Sequence, residues 1–302
     1  MVTTGTFDGV HLGHRKIVDR ITEIAKKGNG ETVILTFHPH PRMVLFDDDF
    51  ELKLLNTQEE KINLLEEAGI DHLIIHPFTK KFSRITSVDF VRNILVNKIG
   101  TKKLVIGHNH HFGRNREGSF DHLKQFGPMY GFSVEEIPSK DIEHIEVSST
   151  KIREALMKGD METANKFLGY NYSITGKVVN GKQLGKKLGY PTANIEVEDE
   201  HKQIPADGIY AVTVDFPSTS RSNFKAMMSI GANPTVNDVK KETSIPQKTI
   251  EVNIFNFDED IYGQFLRVNF VRRIRDEVKF ASLDALKEQL HLDKFKTLSI
   301  LK

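Results

Sequence analysis

The hydrophobic rhythm of the chain changes near residue 168, and that change sets what it can fold into. Before it, strand-length apolar runs alternate with segments of helical period. Residues 14–27 carry Ile17, Ile21 and Ile24 at helical spacing and stop at Gly28, a residue suited to ending a helix. Residues 31–37 (ETVILTF) form a β-branched apolar run bounded by Gly30 and Pro39, the pattern of a buried strand. Thr57 and Glu60 make a capping-box pair that opens a helix running to Gly69. Residues 73–76, 103–106 and 133–137 read as strands. Helices start at Thr86-Ser87-Val88-Asp89 and cover 121–131, and Ser148 or Ser149 caps another through Leu156. Strands separated by helices predict a Rossmann-like α/β unit, its ligands beyond the carboxyl ends of a parallel sheet.

After residue 168 the apolar runs are short, at 174–179, 208–214, 224–230, 250–257 and 265–270, and Gly, Pro and Asn interrupt them. This predicts an antiparallel sheet or small β-barrel, followed by a helix over 282–290 capped by Ser282. Residues 160–169 read as a helical connector, so the expected domains are 1–165 and 166–302. Residues 237–249 read as a polar loop. Lys and Arg number 42 against 41 Asp and Glu, a balance that argues against a nucleic-acid coat protein but permits local anion sites. No apolar run reaches the roughly 18 residues that span a bilayer, so no membrane partner is expected. The chain has no cysteine, which excludes thiol catalysis and thiolate metal sites and fits a cytoplasmic address.

The most informative stretch is GTFDGVHLGH, residues 5–14, where a short strand runs through a glycine turn into a helix. A helix N-terminus offers unpaired N–H groups and partial positive charge to phosphate oxygens. His11 and His14, three residues apart, can face one side of it and donate hydrogen bonds to an α-phosphate during an in-line displacement. Two surface histidines at a helix start are the plain alternative. The Gly-Lys-Ser/Thr ending of a Walker loop is missing, and H-x-x-H by itself supplies too few ligands for zinc. A second helix start, SSTKIR, sets Ser148 and Ser149 where hydroxyls can hold β- and γ-phosphates, with Arg153 one turn in to neutralise pyrophosphate. Alone it is an ordinary N-cap; together with H-x-G-H it reads as a nucleotide site.

In the second half, Gly176, Gly181, Gly185 and Gly189 interleave with Lys177, Lys182, Lys186 and Lys187, the composition of a basic flap over polyphosphate. It ends in Tyr190-Pro191-Thr192-Ala193-Asn194. Thr192 and Asn194 are hard oxygen ligands that point the same way in extended backbone, as one Mg²⁺ on ATP requires. A Gly/Lys hairpin with a polar turn is the competing explanation. Glu251 alternates with apolar residues, and a carboxylate on that strand face can deprotonate a hydroxyl for phosphoryl transfer or merely be solvated.

GTFDGVHLGH, TFHPHP (36–41), GHNHHFGRNREG (107–118) and SSTKIR together resemble the motif series of the FMN adenylyltransferase half of bacterial bifunctional FAD synthetases. GKVVNGKQLGKKLGYPTANI (176–195), DGIYAV, SIGANPT, IEVNIFNFDEDIYG (250–263) and IRDEVKF resemble, in order, the riboflavin kinase barrel. The resemblance covers nearly the whole chain. It implies a nucleotidylyltransferase domain with a parallel sheet and a C-terminal antiparallel barrel. Riboflavin, FMN and ATP are the implied partners, Mg²⁺ accompanies ATP, and FMN and FAD are substrate or product rather than redox cofactors. It places Gly5, Phe7 and Gly9 beside His11 and His14 in the ATP site, and Pro39, His40 and Asn109 on the FMN side. In the kinase it places Gly176, Lys177, Gly189, Thr192 and Asn194 on Mg-ATP, Glu251 as the base for the ribityl 5′-hydroxyl, and Arg275 with Glu277 on riboflavin.

Three departures from the family pattern carry expectations. Only Met1 to Thr4 precede Gly5, which predicts a shortened central strand and a less stable first domain. Lys186 stands where the family's flap commonly has Arg, losing the bidentate fork. Asn109 and Asn253 stand where Asp and His also occur. Two rivals are a class I aminoacyl-tRNA synthetase fragment, which would carry K-M-S-K-S rather than SSTKIR, and a flavin sensor that has lost catalysis. The retained His11, His14, Thr192, Asn194 and Glu251 speak against the second.

Overall fold

The computed structural model describes residues 1–46, 52–107, 110–137, 147–181, 185, 188–231 and 248–302. Its contacts divide the chain into two compact units, Met1–Ser149 and Thr150–Lys302. The first contains strands β1 (Val2–Thr4), β2 (Val33–His38), β3 (His72–Pro77), β4 (Lys103–Gly107) and β5 (Ser133–Ile137). They form one parallel sheet in the order β3-β2-β1-β4-β5. Helix α1 (Leu12–Lys27) follows β1, α2 (Pro41–Leu45) follows β2 and α3 (Gln58–Glu67) precedes β3. Helix α4 (Ser87–Asp89) continues into a wide π-helical stretch, Phe90–Val96, and α5 (Phe120–Tyr130) lies between β4 and β5.

Alternate residues of the strands feed opposite faces of this sheet. Ile34 and Val105 pack with Val18 and Ile21 of α1 and Leu65 of α3. Leu35, Leu104 and Ile106 pack with Phe90, Val91, Ile94 and Leu95 on the other face. The expected capping box is formed: Thr57 and Glu60 exchange hydrogen bonds at the start of α3. Because β1 is flanked by β2 on one side and β4 on the other, the chain order reverses there. The loops after β1 and β4 therefore open a crevice at the carboxyl edge, where doubly wound sheets bind ligands.

Helix α6 (Ser149–Lys158) starts at the last residue of the first unit, and the second unit holds the rest of it and α7 (Met161–Leu168), the latter capped by Asp160 and ended by left-handed Gly169. Strands β6 (Ser173–Val179), β7 (Ala193–Glu196), β8 (Gly208–Phe216), β9 (Arg221–Gly231), β10 (Thr249–Ile254) and β11 (Phe265–Arg275) close into an antiparallel barrel. The long β11 pairs with β6 along its first half and with β8 along its length, which closes the ring. Tyr172, Tyr210 and Phe270 fill its interior, the last two edge to face at 5.2 Å.

The terminal helix α8 (Leu283–Ile300) is ten residues longer at its C-terminal end than the expected 282–290. The extension is tied to β11 by Asp293, whose carboxylate is 2% exposed and receives the Arg275 guanidinium in a fork, at 2.9 and 2.6 Å. Gln289 also donates to Asp293, at 2.9 Å. Gly176 and Lys177, read from sequence as part of a flexible flap, lie inside β6 instead, where ladder bonds to β11 hold them. Removing one partner of a buried ion pair leaves an uncompensated charge. Asp293→Ala is therefore expected to destabilise the barrel by about 3 kcal/mol, read as a lowered urea midpoint.

Candidate functional site

In the first unit the turn between β1 and α1 builds the site. Phe7, Gly9 and Val10 all take positive φ, so the backbone doubles back within a few residues. The Gly5 N–H donates to Leu35 O at 3.1 Å, and Thr6 O accepts from Thr36 Oγ1 at 3.2 Å and from Lys61 Nζ at 3.4 Å. The Asp8 carboxylate accepts the Leu55 N–H at 2.8 Å, and its main-chain carbonyl accepts Ser149 Oγ at 2.9 Å. Any side chain at position 5 would begin 3.2 Å from the Phe7 ring, so glycine keeps the approach to that turn open.

His11 is the N-cap of α1, and its Nδ1 accepts the His14 N–H at 3.4 Å. That leaves the proton of neutral His11 on Nε2, free to donate to an incoming anion. The His11 and His14 rings stack at 3.7 Å with 12° between their planes, and Phe7 tilts against His14 at 5.1 Å. His11 is only 7% exposed, and burial pushes its pKa down to about 4. Burial, followed by the charges of His11 and Lys61, holds His14 well below the ordinary imidazole value. Lys61 is 9% exposed; burial lowers its pKa and Asp8 partly restores it. The buried Nδ1 of His14 has no hydrogen-bond partner among the described residues.

A cavity of about 1310 Å³ crosses the strand ends. It is lined by Thr4, Gly5 and Thr6 after β1, by Phe37, His40 and Arg42 around the end of β2, and by Phe78 and Phe82 after β3. His110 to Arg116 line it after β4. Single small-ligand pockets measure roughly 300–1,000 Å³, so this one has room for two substrates. Its wall carries Arg42, Lys80, Arg84, Arg114 and Arg116, and the rings of Phe37, Phe78 and Phe82 pack with centroids 5.6 to 5.8 Å apart.

The structure thus brings Gly5, Phe7, His11, His14 and Ser149 into one connected cluster, and Gly5 and His40 into one cavity. Gly9 shapes the turn, and Pro39 follows β2 through a cis peptide bond. His40 caps α2, its Nδ1 accepting the Arg42 N–H at 3.2 Å. Ser148 precedes α6 and Arg153 lies one turn into it. Asn109 and Lys182, Lys186 and Lys187 of the flap lie outside the described residues, as do residues 237–247. Sequence reasoning missed Lys61, Asp8 and His110. Lys61 has the pattern of a surface cation on an amphipathic helix, and only the fold aims it at Thr6.

The barrel holds the second site. Across the β7–β10 pair, Glu251 lies opposite Asn194, and Thr192 Oγ1 donates to Glu251 Oε2 at 3.1 Å. A hydroxyl that donates its proton this way still presents both lone pairs. With Asn194 two residues on, these are hard oxygen donors of the kind Mg²⁺ takes. A Cβ at position 181 would lie 1.9 Å from Asn194 Nδ2, so Gly181 lets the loop close on that amide. Gly189 takes φ +82° in the turn before Tyr190. Asn253 donates to Pro191 O at 2.7 Å and so fixes the Pro-Thr turn. Ser229, opposite Glu251 on β9, donates to Glu277 Oε1 at 3.3 Å, and the Glu277 carboxylate lies against Gly231. Arg275 is turned to Asp293. A cavity of about 420 Å³ is lined by Thr192, Val178, Val252 and Ile254 and walled by Phe257 to Tyr262. Among the described residues no three His, Asp or Glu side chains group as a metal site.

Comparison with known proteins matches the two halves separately. A family model described as FAD synthetase matches residues 1–151, and one described as riboflavin kinase matches residues 168–301. A bifunctional riboflavin kinase/FMN adenylyltransferase from Buchnera aphidicola (subsp. Schizaphis graminum) is 37% identical, over 97% of this chain and 91% of that protein. The proteins of the same name from Haemophilus influenzae and Escherichia coli K12 are 36% and 33% identical, again over 97% of this chain. A solved structure described as a macrolide-efflux protein from Streptococcus pneumoniae superposes with a TM-score of 0.86 at 32% identity, over 98% of this chain and 93% of that one. In the present chain, no helix among the described residues is long and apolar enough to cross a membrane.

Imidazoles held neutral in the fold but free to protonate when unfolded make folding less favourable as pH falls. The stability these groups contribute is complete above about pH 6.5, the unperturbed value, and is lost as acid approaches the folded values. His110, whose pKa burial likewise pushes down to about 4, adds to the effect. The histidine ring resonances of His11 and His110 are expected to titrate near pH 4. Calorimetry should show the thermal transition of the first unit falling between about pH 6.5 and 4. In Lys61→Met, loss of the neighbouring charge moves the His14 resonance upward in pH.

Proposed function

The chain belongs to the bacterial bifunctional riboflavin kinase/FMN adenylyltransferase family, and from that premise we propose how its residues divide the work. The protein phosphorylates riboflavin to FMN with ATP and adenylylates FMN to FAD with release of pyrophosphate. We place the division of labour at residues 165 and 166, so that the SSTKIR helix serves the adenylylating half. The family models match up to residue 151 and from residue 168. We assign the work to the cytoplasm, where ATP and free flavin meet.

In the adenylylating half an FMN phosphate oxygen attacks the α-phosphorus of ATP in line with the departing pyrophosphate. His11 and His14 donate hydrogen bonds to the α-phosphate as charge gathers on it, an electrostatic role that needs no covalent intermediate. The 3.7 Å stacking of neutral rings supports this role most directly, because it presets both donors in a water-poor pocket. Gly5, Phe7 and Gly9 admit the nucleotide to the turn. Ser148, Ser149 and Arg153 hold the β- and γ-phosphates. Pro39, His40 and Asn109 serve the FMN side, where Phe37, Phe78 and Phe82 offer aromatic faces to the flavin and the cavity's arginines its phosphate.

In the barrel the riboflavin 5′-hydroxyl attacks the γ-phosphorus of ATP, the bond to the β,γ-bridging oxygen breaks so that ADP departs, and Glu251 accepts the hydroxyl proton. The Thr192 hydrogen bond fixes one carboxylate oxygen and leaves the other to take that proton. Thr192 and Asn194 would hold Mg²⁺, which offsets phosphate charge when it arrives with ATP. Gly176, Lys177 and Gly189 flank the phosphate path. The nucleoside enters the 420 Å³ cavity beside Thr192, because its acidic wall repels phosphates but accepts the hydrogen-bond donors of base and ribose. Glu277 serves the riboflavin side, which its Ser229 bridge toward Glu251 supports, and Arg275, forked onto Asp293, serves it by anchoring the end of β11 from which Glu277 follows.

His14→Ala is expected to lower FAD formation by about 10²–10³-fold while FMN formation stays near wild type. Glu251→Gln should do the reverse, abolishing FMN formation while FAD is still made from supplied FMN. Chromatography of riboflavin, FMN and FAD after incubation with Mg-ATP reads both. Full kinase activity in Glu251→Gln would remove it as the base.

A further inference from the structure

Arg221 opens β9 opposite Phe216 at the end of β8, and neither the family chemistry nor the two sites accounts for it. Its guanidinium carbon lies 5.0, 5.2 and 5.7 Å from the ring centroids of Phe224, Phe216 and Phe257. Those rings also pack on one another, with centroids 5.3 to 5.8 Å apart. From this aromatic seat the guanidinium forks onto Glu259, with N–H···O distances of 2.8 and 2.7 Å. Phe257 and Glu259 both line the 420 Å³ cavity that Thr192 borders.

An isolated exposed ion pair contributes little to stability, and both side chains here are partly exposed, at 40% and 52%. Geometry distinguishes this pair. A planar guanidinium held between rings has little freedom left, and a bidentate fork transmits that orientation to the carboxylate. The segment from Phe257 to Tyr262 follows β10 as a loop. Arg221 fastens it to the β8–β9 hairpin at two points, through the Phe257 ring and the Glu259 carboxylate. It also neutralises one of three successive acidic groups, Asp258, Glu259 and Asp260, on the cavity wall.

We propose that Arg221 is a positioning residue for the kinase reaction, holding the Phe257–Tyr262 wall in the shape that receives the nucleoside end of ATP. This rests on the reading that the 420 Å³ cavity takes that nucleoside. Arg221 touches neither the phosphates nor the flavin, so its loss acts on ATP affinity. Steady-state kinase assays on the full chain test it. Arg221→Met keeps the alkyl contact and removes charge and fork. It should raise KM for ATP about tenfold, while kcat and KM for riboflavin change less than about twofold. Arg221→Lys, which keeps charge without the fork, should fall between, and adenylylation of supplied FMN should not change. Glu259→Gln, at a side chain that is 52% exposed, should raise the same KM and decides the matter if Arg221→Met fails to fold. Ile261→Phe, which fills the cavity from its own lining, separates the two levels of the argument. If it raises KM for ATP while Arg221→Met and Glu259→Gln do not, the positioning role is overturned and the cavity assignment stands. If Ile261→Phe leaves KM for ATP unchanged, the cavity is not the nucleoside site and both fall. A lowered thermal midpoint with unchanged KM in Arg221→Met would make the residue structural only, which also overturns the proposal.

Discussion

The first unit depends on a backbone conformation that its own residues disfavour. Between β1 and α1 the chain turns through Phe7 at φ 51°, Gly9 at 87° and Val10 at 35°. Glycine accepts such angles freely, but a ring-bearing and a β-branched residue do not; each costs on the order of 1–3 kcal/mol. The surroundings offset this. Phe7 and Val10 are fully buried, and Asp8, Thr6 and Gly5 are fixed by Leu55, Ser149, Lys61, Thr36 and Leu35. The result is a helix start whose cap is His11 and whose first turn carries His14. Strain and site are the same feature: a relaxed turn would not set the two rings parallel.

The second unit meets a different constraint. Barrel strands alternate between an inner and an outer face, so the polar groups of the site must be placed by register. Glu251 faces Asn194 on one neighbour and Ser229 on the other, and both partners lead to residues assigned to substrates. A slip of one residue would send Glu251 to the opposite face. Val252 and Ile254, buried on either side of Asn253, oppose that slip. The hydrophobic alternation that stabilises the strand therefore also aims its carboxylate.

Much of this was legible in the residues alone, for identifiable reasons. The parallel sheet was visible because each strand and each cap is a local pattern; the Thr57–Glu60 box spans only four residues. The His11–His14 pair was visible because helical geometry brings residues three apart together. What escaped were contacts made only by tertiary structure. Lys61 and Thr6, or Arg221 and Glu259, are distant in sequence, and each cation alone reads as solvated charge. The terminal helix was cut short for a related reason. Its later turns expose Leu292, Phe295 and Leu298, so no single apolar stripe marks the continuation, and Asp293 and Thr297, which are buried, look like surface positions.

The near-zero net charge now has a spatial explanation. Both reactions bring ATP, with several negative charges, to a chain that is almost neutral overall. The cavity of the first unit gathers arginines around its wall, while burial holds His11 and His14 in the β1–α1 turn below the ordinary imidazole value, so positive field and hydrogen-bond donation can come from different residues. The barrel does the opposite. Its cavity wall carries Asp258, Glu259 and Asp260, and under the proposed roles the charge that phosphate needs would come from the Mg²⁺ that accompanies ATP. Under the proposed assignment, two sites using one nucleotide read it from different ends: the first recognises where the phosphates go, and the second excludes them from where the nucleoside goes. This contrast assigns Arg221 its place, because an acidic wall is useful only while its carboxylates are held back from the phosphate path.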